Sequence, residues 1–206
     1  MSSVGAPTHV AIEPKIIYPG TPVALLSTVN PDGSVNLAPM SSFWALGWTI
    51  VLGLGRNGQT RANLSRTGEC VVNLPGSGLW NAVERLAPLT GRNPPAAHVL
   101  AYGGRFQPDK FTAAGLTPIP STAVAPPRVA ECGIQLEARL VAEFALGDEP
   151  DCSAVEVRIL RVHASTEILR PNRRHIDPAK WRPLLYNFRR YHALGPELGR
   201  SFRQAQ

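Results

Sequence analysis

Cysteine, charge and long apolar runs are all scarce in this chain of 206 residues. Its three cysteines, Cys70, Cys132 and Cys152, lie far apart and form no CxxC pair, which argues against a disulfide framework or a zinc ribbon. No apolar stretch reaches the roughly 20 residues needed to span a bilayer. No basic start followed by an apolar core marks a secretory signal. We therefore expect a cytoplasmic protein that does not enter a membrane.

The motifs of common hydrolases and metalloenzymes are missing as well. Neither GxSxG nor HExxH occurs, and no cluster of His and carboxylates has the spacing of metal ligands. Cys70 stands among apolar residues with no His beside it, so a catalytic thiol is not expected there. The sequence thus predicts no metal site and leaves the catalytic residues unassigned.

Apolar residues, by contrast, make up 44% of the chain against 17% charged residues, which predicts a folded protein. Turn signals separate short apolar segments, as in the hairpin predicted for residues 22–38 around Asn30-Pro31-Asp32-Gly33. Further strands are predicted at 48–53, 69–74, 134–140 and 155–162, and short helices at 60–67, 79–86 and 109–114. This pattern predicts a mainly β fold, a barrel with added helices.

Positive charge is concentrated at the C-terminal end of the chain. The net charge is +6, and residues 151–206 alone carry eleven basic and five acidic side chains. We predict an N-terminal arm at 1–20, a main domain at 21–169, and a basic, proline-rich extension at 170–206 that packs on the barrel or on a partner subunit. The arginines of this extension could bind an anion or nucleic acid, but prolines interrupt them and no groove-reading motif accompanies them. Nucleic-acid binding is therefore the weaker alternative.

A glycine-rich loop, Gly53-Leu-Gly-Arg-Asn-Gly58, follows a predicted strand and precedes a predicted helix. It matches GxGxxG, yet the preceding hairpin, the short helix and the lack of an acidic residue after the next strand argue against a dinucleotide-binding fold. A loop of small residues leading into a helix still presents backbone N–H groups and the positive end of the helix dipole. With Arg56, the Thr60 hydroxyl and the Asn63 amide, this loop would hold a phosphate monoester. An N-cap role for Thr60 and an exposed position for Asn63 are the alternatives.

Eight segments have an informative order and spacing. They are Pro22-Val-Ala-Leu-Leu-Ser-Thr-Val29, Asp32-Gly33, Asn36-Leu-Ala-Pro-Met-Ser-Ser-Phe43, Gly53-Leu-Gly-Arg-Asn-Gly-Gln-Thr-Arg-Ala-Asn63, Thr67-Gly-Glu-Cys-Val-Val-Asn-Leu-Pro75, Asp109-Lys110-Phe111, Ala114-Gly-Leu-Thr117 and Trp181-Arg-Pro-Leu-Leu-Tyr-Asn-Phe-Arg-Arg-Tyr-His-Ala-Leu-Gly195. Taken in order, these segments resemble the flavin reductase-like family, whose members have an FMN-binding split barrel. The resemblance covers residues 15–195.

The resemblance implies a Greek-key split β-barrel, a homodimer, and FMN bound near the subunit interface. The phosphate would lie at the helix that begins near Thr60, and the polar edge of the flavin ring against residues 41–42. Tyr191 or Phe188 would cover a face of the ring, and Lys110 would reach the flavin or its phosphate. In full, the resemblance implies cofactor-binding roles for Asn36, Ser41, Ser42, Arg56, Asn57, Thr60, Asn63, Lys110 and Tyr191. The alternatives are turn residues at 41–42, a surface charge at Lys110 and tail packing at Tyr191.

One segment departs from the family pattern. Many reductases of the family carry Gly-Asp-His before a late strand, where the His is linked to nicotinamide, whereas this chain has Gly147-Asp148-Glu149-Pro150. His163 or His192 could substitute for it. We predict an FMN-dependent oxidoreductase that passes electrons from NAD(P)H to free flavin or another acceptor. The alternatives are a flavoredoxin-like electron carrier that a protein partner reduces, and an anion or nucleic-acid binder that uses the arginine-rich extension.

Overall fold

The computed structural model describes residues 9–147 and 149–202, with only the backbone described at 149 and 150. Within that range the strands are β1 (Pro19–Pro22), β2 (Ala24–Val29), β3 (Val35–Met40), β4 (Phe43–Leu46), β5 (Thr49–Gly55), β6 (Glu69–Leu74), β7 (Leu89–Thr90), β8 (Arg105–Phe106), β9 (Pro118–Ile119), β10 (Arg128–Val129), β11 (Ile134–Leu146), β12 (Glu149–Ala164), β13 (Leu184–Asn187) and β14 (Arg190–Ala193). The helices are α1 (Gln59–Thr67), α2 (Trp80–Leu86), α3 (Ala97–Ala101) and α4 (Lys110–Ala114), with short 3₁₀ turns at Ser77–Leu79 and Thr166–Ile168.

Seven antiparallel strands form the main sheet, in the order β3-β2-β6-β11-β12-β5-β4. The two longest strands, β11 and β12, pair along most of their length and join the two halves of the sheet. The outer strands β3 and β4 do not pair with each other in the described part of the chain, so the sheet is curved but not closed. Just after β3, the Ser42 carbonyl accepts a hydrogen bond from the Gly53 N–H of β5, and the candidate site lies beside this contact.

The strands near the N-terminus follow directly from the sequence. The hairpin predicted for residues 22–38 is confirmed, because β2 and β3 pair with Val29 opposite Val35 around a turn at residues 30–34. The strand predicted at 69–74 has those bounds as β6, and the one predicted at 48–53 is β5. The helix predicted at 60–67 is α1, which ends at Gly68 with a φ of 72°, a backbone conformation that glycine adopts without strain.

Successive apolar side chains along the strands point to alternate faces of the sheet and form two apolar clusters, one on each face. Leu25 packs with α2 and α4 in one cluster, which also contains Leu184 of β13. Its neighbours Ala24 and Leu26 face the other cluster, where strands from both halves of the sheet meet Leu64 of α1. Successive residues of a strand point to opposite faces, so β2 is buried on both sides. The second cluster therefore holds α1 firmly against the curved sheet.

Several short elements, among them β1, β4, α3, β13 and β14, were not predicted from the sequence. β4 has only four residues, too few for a clear alternation, and α3 has five. β13 and β14 form a hairpin whose turn places Phe188 and Arg189 at φ values of 44° and 66°, without the glycine or asparagine that signals such a turn. β1 crosses the predicted boundary at residue 20 and pairs with β13, so the first and last described segments share one small sheet. The predicted division into three segments stays a prediction, and residues 1–8 and 203–206 lie outside the described residues.

Candidate functional site

A cavity of about 540 Å³ lies between β5, the start of α1 and the segment 90–99. Its polar wall carries Asn57, Thr60, Arg61, Arg92, His98 and one acidic residue, Asp151, and its other end is formed by residues 39–40 and 53–55. We call it the arginine cavity. Its volume falls in the range of ~300–1,000 Å³ typical of small-molecule and cofactor sites.

The first turn of α1 faces this cavity with free backbone donors. Gly58 is the N-cap and supplies no side chain, and no acidic residue stands in the first turn. The loop before it closes through a hydrogen bond of 3.1 Å from the Gly58 N–H to the Gly55 carbonyl. The N–H groups at the start of a helix have no partner within the helix and carry partial positive charge. The N-terminal end of α1 is therefore suited to an anion, as the sequence predicted.

Thr60 lines the cavity at this turn, and Asn36 of β3 holds its side chain. The Asn36 amide nitrogen donates to the hydroxyl oxygens of Thr60 and Thr28, at 3.0 and 3.2 Å. Because the Thr60 oxygen accepts this bond, its own O–H remains available to donate into the cavity. Asn36 is only 1% exposed, so it stands behind Thr60 rather than in contact with a ligand. Its carbonyl oxygen has no partner among the described residues and lies beneath Gly91.

Asn63 is also buried beneath α1 and does not line the cavity. Its amide nitrogen donates to Thr28 and Asn30, at 3.0 and 2.7 Å, and its carbonyl oxygen accepts from Gln59 at 2.8 Å. It is 1% exposed, which differs from the exposed position considered as an alternative. In this structure Asn63 fastens α1 to β2, and it acts on the cavity only through the helix that it holds.

Arg56 and Asn57 are neighbours in sequence but face different surroundings. The Arg56 guanidinium donates to the Ser153 hydroxyl at 3.2 Å and is not among the residues that line the cavity. Asn57 does line it and donates to the Asp151 carboxylate at 3.3 Å. The backbone carbonyl oxygen of Asn57 also accepts a hydrogen bond of 2.7 Å from the Arg92 guanidinium. The segment 90–93 is thereby tied to the loop before α1.

Three basic residues that sequence analysis did not single out face the cavity. Arg61 follows Thr60 in α1 and forms an ion pair of 2.9 Å with Glu143, and its hydrogen bond holds the pKa of Glu143 below its usual value. Arg92 forms no ion pair with a carboxylate in the part of the chain that is described. Position in the first helical turn could have marked Arg61. Arg92 and His98 carry no such signal, because a long irregular segment brings them back to α1.

A second cavity, of about 360 Å³, lies on the other side of residues 39–40. Tyr18, Tyr186, Tyr191, Ser41 and Ser42 line it, and we call it the tyrosine cavity. The predicted site residues are thus divided. Asn57 and Thr60 face the arginine cavity, whereas the serines and Tyr191 face the tyrosine cavity, and residues 39–40 form a wall common to both.

Tyr191 is held in place by its hydroxyl and its ring. The hydroxyl donates to the Glu84 carboxylate at 3.0 Å, and the ring lies 5.4 Å from that of Tyr186 and 6.4 Å from that of Trp80. Burial, followed by the nearby Glu84 carboxylate, raises the pKa of Tyr191 above its ordinary value. The phenol therefore stays protonated and keeps its bond to Glu84.

Lys110 is buried, not a surface charge, and lines neither cavity. It begins α4, is 3% exposed, and makes no hydrogen bond within the described residues. Burial lowers the pKa of its ammonium group from 10.5 to about 8. The role that the resemblance implies for Lys110 remains a prediction.

The segment that departs from the family pattern adds no described side chain to either cavity. Asp148 lies outside the described residues, and only the backbone is described at 149. His163, one proposed substitute, contacts the buried carboxylate of Glu137 at 2.6 Å. His192 lies on β14 in a surface pocket with Arg189 and Arg190. The imidazole that does line the arginine cavity is that of His98.

The structure therefore combines a helix start that is suited to an anion with an open, curved antiparallel sheet. The chain belongs to the flavin reductase-like family, since the family model of the flavin reductase like domain matches residues 19–195. This confirms the resemblance read from the sequence segments.

Comparisons with individual proteins agree with this assignment. The chain is 46% identical over 195 residues to the uncharacterized protein YdfE of Bacillus subtilis (strain 168), covering 93% of this chain and 92% of that protein. The solved flavoredoxin of Desulfovibrio vulgaris (Miyazaki F) has a similar fold, with a TM-score of 0.74, 21% identity and full coverage of both chains. Nitrilotriacetate monooxygenase component B from Bacillus cereus also has a TM-score of 0.74, with 23% identity over 94% of this chain and all of that one. The predicted mainly β split-barrel fold with added helices is confirmed.

Proposed function

We propose that this protein is a flavin-dependent oxidoreductase that binds FMN in the arginine cavity, with the phosphate at the start of α1. The observation that carries the proposal is that several different kinds of hydrogen-bond donor line the cavity at the start of α1. These donors are the backbone N–H groups of α1, the Thr60 hydroxyl, the Asn57 amide and the guanidinium groups of Arg61 and Arg92. Membership of the flavin reductase-like family supports a flavin as the ligand.

The donor set suits a phosphate monoester better than a neutral group. Guanidinium forks and helix N-termini both favour phosphate oxygens, and hydrogen bonds to a charged group contribute about 1.5–3 kcal/mol each. Arg61 is already paired with Glu143, so Arg92 supplies the cation without a carboxylate partner in the described chain. The Arg92 bond to the Asn57 carbonyl keeps that guanidinium beside the first turn of α1.

The opposite end of the cavity suits the flavin ring. Met40 and Gly53 line it, and an added Cβ at Gly53 would stand 3.0 Å from the Ser42 Cβ, so a larger residue would push into the common wall. The face of a flat ring can lie against such a surface without displacing a side chain. Bound FMN would supply the redox chemistry by accepting a hydride from NAD(P)H, while the protein binds and orients it.

A second candidate is a flavoredoxin-like electron carrier that a protein partner reduces. The likeness to a flavoredoxin over the full length of both chains favours it, although that likeness is one of fold. Anaerobic absorbance spectra of the purified protein, loaded with FMN, distinguish the two. Loss of the flavin absorbance on addition of NADH or NADPH supports the reductase. Loss only with a reduced protein partner supports the carrier, and failure to bind FMN overturns both.

We also propose that the protein is a homodimer. The edge strand β4 and the turn after it expose Trp44, Leu46 and Trp48, at 57%, 75% and 55%. Leu160 and Val162 of β12, on the same half of the sheet, are 38% and 45% exposed. Large apolar residues at an open sheet edge favour cover by another chain, and a second copy offers the same surface in return.

A cytoplasmic location remains part of the proposal, and one observation is consistent with it. The three cysteines are free thiols, as expected in a reducing compartment. Within residues 9–147 and 149–202, no helix is long and apolar enough to cross a membrane.

A further inference from the structure

A third cavity, of about 390 Å³, lies between the β2–β3 turn, the start of α1 and the segments 91–93 and 106–108. Five of the residues that line it carry side-chain amides, and we call it the amide cavity. They are Asn30, Asn36, Gln59, Asn93 and Gln107. It shares no lining residue with the arginine cavity, and its volume is within the range of small-molecule sites.

One carbonyl oxygen of this lining is buried without a hydrogen-bond partner. The amide nitrogens of Asn30, Asn36 and Gln59 donate to other side chains of the protein, so these donors are already occupied. The Asn36 carbonyl oxygen has no partner among the described residues, and Asn36 is only 1% exposed. A buried acceptor is costly to leave without a donor. The amide cavity therefore contains an acceptor that a ligand can satisfy.

Glycine at position 91 leaves room beside this oxygen. Gly91 lines the amide cavity, and an added Cβ there would stand 2.5 Å from the Asn36 carbonyl oxygen. Any larger residue would therefore fill the space next to the acceptor.

Asp32 supplies the only charge among the residues that line the amide cavity. Its carboxylate accepts from the Ser34 hydroxyl at 2.6 Å and from the Ser34 N–H at 3.0 Å. The hydroxyl bond, followed by the N–H bond, lowers the pKa of Asp32, so the carboxylate is ionised at neutral pH. No Lys, Arg or His forms an ion pair with it in the described part of the chain. The cavity thus carries negative charge on a chain whose net charge is +6.

A ligand that matches this lining is a cation with N–H groups. A carboxylate or phosphate would be repelled by Asp32, and a quaternary ammonium ion could not donate to Asn36. Pro31, Phe106 and Pro108 add apolar surface to the walls. Planar cations can rest against an aromatic ring while their N–H groups reach acceptors at the rim.

We propose that the amide cavity binds a small, planar organic cation of the amidinium or guanidinium class. Its N–H groups donate to the Asn36 carbonyl oxygen and to the Asp32 carboxylate. This site goes beyond the proposed function and does not depend on it, because the lining of the amide cavity is separate from that of the arginine cavity.

NMR titration of the protein with benzamidine and with N,N,N-trimethylanilinium tests the proposal. Both probes are aromatic cations of one charge, but only benzamidine has N–H groups. We expect benzamidine to bind saturably and N,N,N-trimethylanilinium to bind at least about tenfold more weakly.

Two variants locate the bound probe. Asp32→Asn should weaken benzamidine binding about threefold or more, whereas Glu13→Gln removes a negative charge at an exposed residue outside the cavity and should change nothing. Gly91→Ala should weaken benzamidine binding about tenfold, because it fills the space beside the Asn36 oxygen. Gly78→Ala is its control, since a Cβ at Gly78 would have no neighbour within 4 Å. Asp32 is an exposed turn residue, so Asp32→Asn tests the site even if Gly91→Ala fails to fold.

Absence of saturable benzamidine binding would overturn the proposal, as would equal affinities for the two cations or unchanged affinity in Asp32→Asn. The titrations are made on both FMN-free and FMN-loaded protein, and benzamidine should bind both with the same affinity. If FMN displaced benzamidine competitively, the probe would lie in the flavin site and the inference would be wrong. Failure of the proposed function is distinguishable, because the titration of FMN-free protein requires no flavin.

Discussion

Replacing Lys110 by Met should stabilise the flavin-free protein at neutral pH. The ammonium group is 3% exposed and has no hydrogen-bond partner within the described residues, and burial lowers its pKa from 10.5 to about 8. Each pKa unit corresponds to about 1.4 kcal/mol. The charged lysine therefore costs roughly 3 kcal/mol of folding free energy at pH 7, and Met fills a similar volume without the charge.

The lowered pKa of Lys110 also determines how the stability of the protein changes with pH. Between pH 8 and 10.5 the unfolded chain binds more protons at Lys110 than the folded chain does, so stability rises with pH in this window. The cost is fully present below pH 8 and disappears as the pH approaches 10.5. Urea unfolding of wild type and Lys110→Met across this range measures it, since the other titrating groups cancel in the difference. The advantage of Lys110→Met should fall from about 3 kcal/mol at pH 7 to near zero at pH 10.5.

Lys15→Met is the control, because it makes the same substitution at an exposed lysine. A constant difference between wild type and Lys110→Met at all pH values would refute the reasoning. Repeating the series with saturating FMN addresses the role that the family resemblance implies. If Lys110 pairs with the bound flavin or its phosphate, FMN should abolish the pH-dependent difference.

Three further predictions concern the site and its assembly. Asn36→Leu should weaken FMN binding about tenfold and leave riboflavin binding unchanged, because it frees the Thr60 hydroxyl that Asn36 holds. Equal losses for both ligands in a binding titration would contradict this. Gly91→Ala should lower both the melting temperature and the FMN affinity, since its Cβ would stand 2.5 Å from the Asn36 side-chain carbonyl oxygen. Gly78→Ala is the control and should change neither, because a Cβ at Gly78 would have no neighbour within 4 Å. Leu46 is 75% exposed at the sheet edge that we propose as the dimer interface, so Leu46→Glu would place a charge in that interface. Sedimentation equilibrium should then show monomers instead of a dimer. An unchanged mass would exclude this surface as the dimer interface.

The local parts of the site could be predicted because short segments determine them. The glycine-rich turn, the helix start at Thr60 and the β2–β3 hairpin all depend on residues within a few positions of one another. Turn preferences and helix caps act over that range. The backbone geometry of the glycine-rich turn and of the start of α1 was therefore accessible from the sequence.

The long-range parts could not be predicted in the same way. Arg92 reaches Asn57 across 35 positions, through a segment without periodic apolar residues. Asn63 was expected at the phosphate, but the buried hydroxyl of Thr28 on β2 competes for its amide. Tyr18 and Tyr186 meet only because β1 pairs with β13 at the far end of the chain. Such contacts depend on topology, which single-sequence patterns do not determine.

The affinities of wild type and Thr60→Val for FMN and riboflavin test the central claim most directly. If the phosphate lies at the start of α1, wild type should bind FMN at least about a hundredfold more tightly than riboflavin. Thr60→Val should then lower FMN affinity about tenfold or more without altering riboflavin affinity. Equal wild-type affinities for the two flavins, or equal losses for both in Thr60→Val, would contradict the account.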